Sequence, residues 1–151
     1  MDVCDGNPAG PRPPPPYGLP MRQVPSPAEV HPPLAAYSHA IEVGPDERVV
    51  VLAGQVGVAP DGSLPDDPIA QVDQAMANVA GVLAAGGMTV ADLVKLTFYL
   101  VGDVDLDGWR ARVATHLGDH RPTMTLLFVA RLASPAFRVE IDGWAAAPAP
   151  R

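Results

Sequence analysis

Hydrophobic and polar positions alternate over five short stretches of this chain and recur at helical spacing over two longer ones. Tyr37–Val43 (YSHAIEV) alternates and reads as a strand, Gly44-Pro45-Asp46-Glu47 as a turn, and Arg48–Gly54 (RVVVLAG) as a β-branched strand buried on both faces. After a second turn at Pro60–Ser63, Asp67 and Pro68 give an N-cap followed by proline at the first helical position. Val72, Ala75, Met76, Val79, Val82 and Leu83 then form one apolar stripe, predicting a helix to about Ala85 that Gly86-Gly87 stops. Thr89–Asp92 has capping-box spacing and predicts a short helical turn. Val94–Val101 is the third strand. Leu106, Trp109, Val113 and Leu117 mark a second helix over about Leu106–Leu117, ended by Gly118. The last two strands fall at about Thr123–Ala130 and Phe137–Ala145.

The order β-β-α-β-α-β-β predicts an α+β domain in which two helices cover one face of a single mixed sheet. The other face is then partly apolar and needs a cover, which oligomerisation supplies. Residues 1–33 differ in kind: about a third are proline, including the run Pro13–Pro16, so they read as a flexible proline-rich arm that favours polyproline II. The globular part spans residues 34–146, and residues 147–151 read as a loose tail.

Composition narrows the function. A net charge of −7 and the absence of a Lys/Arg cluster argue against nucleic acid or an anionic membrane as partner. With Cys4 alone, neither an internal disulfide nor a cysteine metal site forms. No apolar run approaches the roughly 18 residues of a membrane span, and no secretory signal is evident, so a cytoplasmic address is expected. His116 and His120 are spaced i, i+4, but Gly118 ends the helix between them, so they read as a solvated pair and no metal is expected.

Five segments, in order, carry a family resemblance. They are Tyr37-Ser38-His39-Ala40, Ala53-Gly54-Gln55-Val56, Gln71 with Asn78 seven residues on, Val94-Lys95-Leu96-Thr97, and Gly118–Pro122 leading into a strand that ends Val129-Ala130-Arg131-Leu132. Together with Val139-Glu140-Ile141-Asp142 they resemble the RidA/YjgF family of small imine and enamine deaminases. The resemblance covers roughly residues 34–146. It implies a chorismate-mutase-like fold, a homotrimer with clefts between neighbouring subunits, a small-molecule substrate and no cofactor.

The same resemblance assigns candidate roles. Glu140, set by alternation on the face opposite Val139 and Ile141, matches the family's glutamate that handles the hydrolytic water. A solvent-facing acid paired with Arg138 or Lys95 is the alternative. Tyr37 matches the tyrosine that lines the cleft, Gly54 and Gln55 the segment that brings backbone close to ligand, and His39 stands where the family has glutamine. One position departs. The family's strand begins Pro-Ala-Arg-Ser/Thr, and its arginine holds the substrate carboxylate; here Pro122-Thr123-Met124-Thr125 stands instead. A thioether cannot make bidentate charged hydrogen bonds, so the pocket at Met124 and Thr125 should prefer a substrate other than a typical 2-imino acid. A non-catalytic trimer that binds a small molecule or a protein client is the second expectation, and a ribonuclease the third.

Overall fold

The structure, a computed structural model, describes residues 22–26 and 28–149. Its elements are β1 (Arg22–Val24), β2 (Ala40–Glu42), β3 (Glu47–Val56), α1 (Pro68–Ala85), a 3-10 turn at Val90–Asp92, β4 (Leu93–Leu100), α2 (Leu106–Leu117), β5 (Thr123–Phe128) and β6 (Val139–Pro148). Both helices match their predicted spans. Asp67 caps α1 by accepting from the Ala70 amide at 2.8 Å, and Gly86-Gly87 ends it, the Gly87 amide returning to the Ala84 carbonyl. Asp105 caps α2 in the same way, and Gly118, at φ +55°, ends it.

The main sheet has four strands in the order β3-β6-β4-β5, with β6 antiparallel to both β3 and β4 and β4 parallel to β5. Each of α1 and α2 therefore serves as a crossover between strands running the same way, which packs both on one face. Leu52, Leu96, Phe98, Leu100, Val139, Ile141 and Ala145 point into that face. There they meet Val72, Met76, Val79 and Leu83 of α1 and Trp109, Val113 and Leu117 of α2. The Phe98 and Trp109 rings pack edge to face at 5.0 Å.

Four expectations change. The first predicted strand is only Ala40–Glu42, and it pairs with β1 in a separate two-stranded ribbon rather than in one sheet. The sequence places β1 inside the proline-rich arm, yet Gln23 lies across from Ile41 and the Val24 side chain is half-buried. The remainder of the predicted arm, residues 1–21 and 27, lies outside the described residues. At the other end β6 runs to Pro148, pairing with Glu47, so residues 147 and 148 are not loose. Finally, β3 is buried on one face only. Val49 and Val51 are exposed, Val51 at 63%, because the helices reach only the side that carries Val50 and Leu52.

Two polar side chains of α1 tie the helix to the strands flanking the open face. Gln71, 1% exposed, donates to the carbonyls of Pro65 and Ala136 at 2.8 and 3.0 Å and accepts from the Arg138 amide at 2.8 Å. Asn78 donates to the carbonyls of Val56 and Val58, both at 2.9 Å. These are the two polar positions of the helix motif noted in the sequence, and they bond backbone at the end of β3, just before β6 and in the adjoining loops.

Candidate functional site

Glu140 stands on the open face of the sheet, near the start of β6, half-buried and across from Tyr99 of β4 and Val56 of β3. The β3–β6 ladder slips between Leu52 and Gln55, a bulge that puts Gly54 beneath the carboxylate. A Cβ on Gly54 would lie 1.9 Å from Glu140 Oε1, so only glycine leaves room for the carboxylate there. The two cations that could neutralise Glu140 are turned away. Arg138 donates through Nε to the Val101 carbonyl at 2.9 Å and through a terminal nitrogen to that of Asp103, while Lys95 reaches Thr125. Among the described residues nothing hydrogen-bonds or ion-pairs with the Glu140 carboxylate.

Around Glu140 the open face carries a polar network. Tyr99 donates to Asp142 Oδ2 at 2.9 Å, and Lys95 bonds the Thr125 hydroxyl. Alternation along β6 places Asp142 on the face of Glu140 from the sequence alone; the register of β4 against β6 adds Lys95, Thr97 and Tyr99 to it. The hydrogen bond to Asp142 raises the Tyr99 pKa, with burial and the charges of Asp142 and Glu140 adding to it. Burial lowers that of Lys95, partly offset by Asp142.

These two shifts act oppositely on stability. The Tyr99 contribution is intact below pH 10 and is lost as pH rises through the raised folded-state value. The burial cost of charged Lys95 is relieved as pH climbs toward 10.5. Spectrophotometric titration of the phenolates, with Tyr99→Phe to assign the signal, should show Tyr99 ionising above its ordinary value and Asp142→Asn bringing it down. Unchanged ionisation in Asp142→Asn would show that the hydrogen bond does not control it.

Met124 lies on the other side of the sheet. It pairs with Leu96 in register and faces α2, lining a cavity of about 390 Å³ with Trp109, Val113, Leu117, Leu34 and Ala36. Two arginines reach this cavity, and both have partners. Arg110 forms an ion pair with Asp107 at 2.7 Å, and Arg121 donates to the carbonyls of Gly118 and His120 at 2.6 and 2.8 Å. The wall around Met124 is thus apolar apart from these two partnered arginines.

Tyr37 and His39 occupy a third place. They line a groove with Gln23, Val24 and Pro33, their rings edge to face at 5.6 Å; His39 Nε2 lies 2.8 Å from the His31 carbonyl oxygen. Ser38 ties this segment to the residues before β5, its hydroxyl donating to the Arg121 carbonyl at 2.6 Å. Of the seven predicted site residues, one chain therefore brings together Glu140 and Gly54 and puts Thr125 on the same face. Gln55 instead pairs with Ile141 and turns to the helix side, beside Gln74 and Asn78 of α1. Tyr37 and His39 pair elsewhere, and Met124 lies behind the sheet against α2. Nor are His116 and His120 a solvated pair. His116 Nε2 lies 2.8 Å from Asp73, linking α2 to α1, and His120 Nε2 lies 2.7 Å from the Leu93 carbonyl oxygen. Among the described residues no group of three or more His, Cys, Asp or Glu could hold a metal, and no helix is long and apolar enough to cross a membrane.

Comparison with known proteins gives a consistent result. The model of the family described as endoribonuclease L-PSP matches residues 28–147. A 2-iminobutanoate/2-iminopropanoate deaminase of Escherichia coli is 28% identical over 113 residues, covering 72% of this chain and 85% of the relative. A RutC family protein of Haemophilus influenzae is 34% identical over 68 residues, which are 44% of this chain and half the length of that relative. Among solved structures, a protein of unknown function of the conserved Rid protein family from Yersinia pestis superposes with a TM-score of 0.75 at 30% identity. That match covers 85% of this chain and all of the other.

Proposed function

We propose that this chain, which belongs to the endoribonuclease L-PSP (RidA/YjgF) family, hydrolyses the C=N bond of an imine or enamine other than a typical 2-imino acid. The observation that carries the reading is the uncommitted carboxylate of Glu140, held against the Gly54 bulge with both nearby cations engaged elsewhere. Such a group suits a general base. It takes a proton from water as the oxygen adds to the carbon of the iminium ion, giving a neutral carbinolamine. The Glu140 carboxyl returns that proton to nitrogen, ammonia departs as the C–N bond breaks, and the hydroxyl proton passes to the carboxylate and on to solvent, leaving the carbonyl product. No cofactor is needed for these steps.

The site requires a second copy of the chain. Glu140 and Met124 stand on opposite faces of one sheet, two strands over and three residues along, roughly 14 Å apart between backbones. A neighbouring copy can supply the Glu140 that faces a given Met124. The open face favours such an assembly, for it exposes Val49, Val51, Leu127 and Trp144, the last at 50%. A homotrimer with clefts between subunits accommodates both features.

The E. coli relative's name specifies 2-imino acids, whose carboxylate the family's arginine would hold. With Met124 in that place and its two neighbouring arginines partnered, this pocket suits an uncharged group. Met124→Arg is expected to raise kcat/KM for 2-iminopropanoate, generated by an amino-acid oxidase, by about 10- to 100-fold, the worth of one charge-assisted anchor. Wild-type activity on that substrate equal to that of the E. coli deaminase would overturn the specificity argument. A second reading, a trimer that binds its ligand without turnover, is favoured by the apolar cavity at Met124. It predicts a ligand affinity that survives loss of Glu140 and no ammonia release from any imine. The −7 charge disfavours a ribonuclease.

A further inference from the structure

We infer that the cavity between α2, the start of β5 and residues 34–36 holds the side chain of the substrate, and that this side chain is an aryl or branched alkyl group. The inference rests on the deaminase reading above and adds the class of molecule on which it acts. Three observations carry it. The cavity volume, about 390 Å³, falls within the roughly 300–1,000 Å³ of small-molecule sites. A methyl or ethyl group would leave most of that space to water in contact with apolar walls. The walls are Trp109, Val113, Leu117, Met124, Leu34 and Ala36, with no carboxylate among the lining residues.

The third observation is rigidity. Trp109 is 8% exposed and fixed edge to face on Phe98, and Val113 and Leu117 belong to the same packed core. The pocket is therefore preformed, and a flat or branched group enters it without reordering its floor. Met124 contributes an adaptable thioether that settles against whichever ring arrives. Its neighbours Arg110 and Arg121 already have acceptors, so they do not oblige the ligand to bring an anion.

The test separates the pocket from the reaction. Trp109 reports on binding once Trp144, the other tryptophan, is replaced by Phe. Titrating the full chain with 2-phenylacetamide, a stable uncharged stand-in for an aryl imine, should give a saturable fluorescence change, about tenfold or more tighter than acetamide. Ala114→Trp, which fills the cavity from α2, should remove that preference, and Ala36→Phe should do so if the first variant fails to fold. Equal affinity for the two amides, a preference that survives both substitutions, or a change of oligomeric state in either variant would overturn the inference. The last result would mean that a neighbouring copy fills the space. Turnover is scored separately, on the imines that an amine oxidase forms from phenylethylamine and ethylamine. Preferential binding of the aryl amide without hydrolysis of either imine removes the reaction and leaves the pocket. Hydrolysis of both imines with equal kcat/KM removes the pocket and leaves the reaction.

Discussion

Replacing Glu140 by glutamine is expected to lower kcat on an imine substrate by about 10²- to 10⁴-fold, the contribution of a positioned general base. Stability should change by less than about 0.5 kcal/mol, because no described residue hydrogen-bonds or ion-pairs with this carboxylate. Steady-state ammonia release and thermal melting of the same preparation check both parts. A loss of under tenfold would show that the water is activated elsewhere. Gly54→Ala tests the same geometry from the other strand. Its Cβ would stand 1.9 Å from Oε1 and would turn the carboxylate aside. The atom displaced is the end of a flexible side chain, so the fold tolerates the change while kcat falls. If Gly54→Ala keeps full activity, the position of the carboxylate against the bulge has no catalytic consequence.

Gln71→Met carries the largest expected effect on stability, a loss of about 3–5 kcal/mol. The substitution nearly preserves volume, yet it strands the carbonyls of Pro65 and Ala136 and the amide of Arg138, all of which depend on the Gln71 side chain. For a chain of this length the melting temperature should fall by on the order of 10 °C. The Arg138 amide lies two residues before Glu140, so the variant should also loosen the strand that carries the proposed base. Chemical denaturation and calorimetry measure the first effect. A cost below about 1 kcal/mol would mean that water replaces the side chain without penalty.

The sequence makes some parts of this protein legible and hides others for definite reasons. Both helices can be read to the residue because their signals are local: Asp67 with Pro68 and Gly86-Gly87 for α1, and Gly118 for α2. Strands are read less well. In β3 the β-branched run suggests burial on both sides, but β-branched residues also suit a face that awaits a partner. The ribbon of β1 and β2 has three residues on each side, too few for a pattern to emerge beside so many prolines.

The candidate site divides in the same way. Alternation alone places Glu140 opposite Val139 and Ile141, and Met124 stands in a four-residue motif, Pro122-Thr123-Met124-Thr125, where the resemblance leads to an expected arginine. Neither reveals that the two residues stand on opposite faces of the sheet, since that follows from the parallel pairing of β4 with β5. The partners that free Glu140, Val101 and Asp103 for Arg138 and Thr125 for Lys95, lie between 30 and 37 residues away in the chain. Local patterning thus determined both helices and most strands of the main sheet, because capping and periodicity act over a few residues, while short motifs carried the family resemblance. Only the tertiary structure decided which carboxylate is uncommitted, which wall is apolar and that Glu140 and Met124 take opposite faces of the sheet, because those depend on contacts distant in sequence and on which face of the sheet each side chain takes.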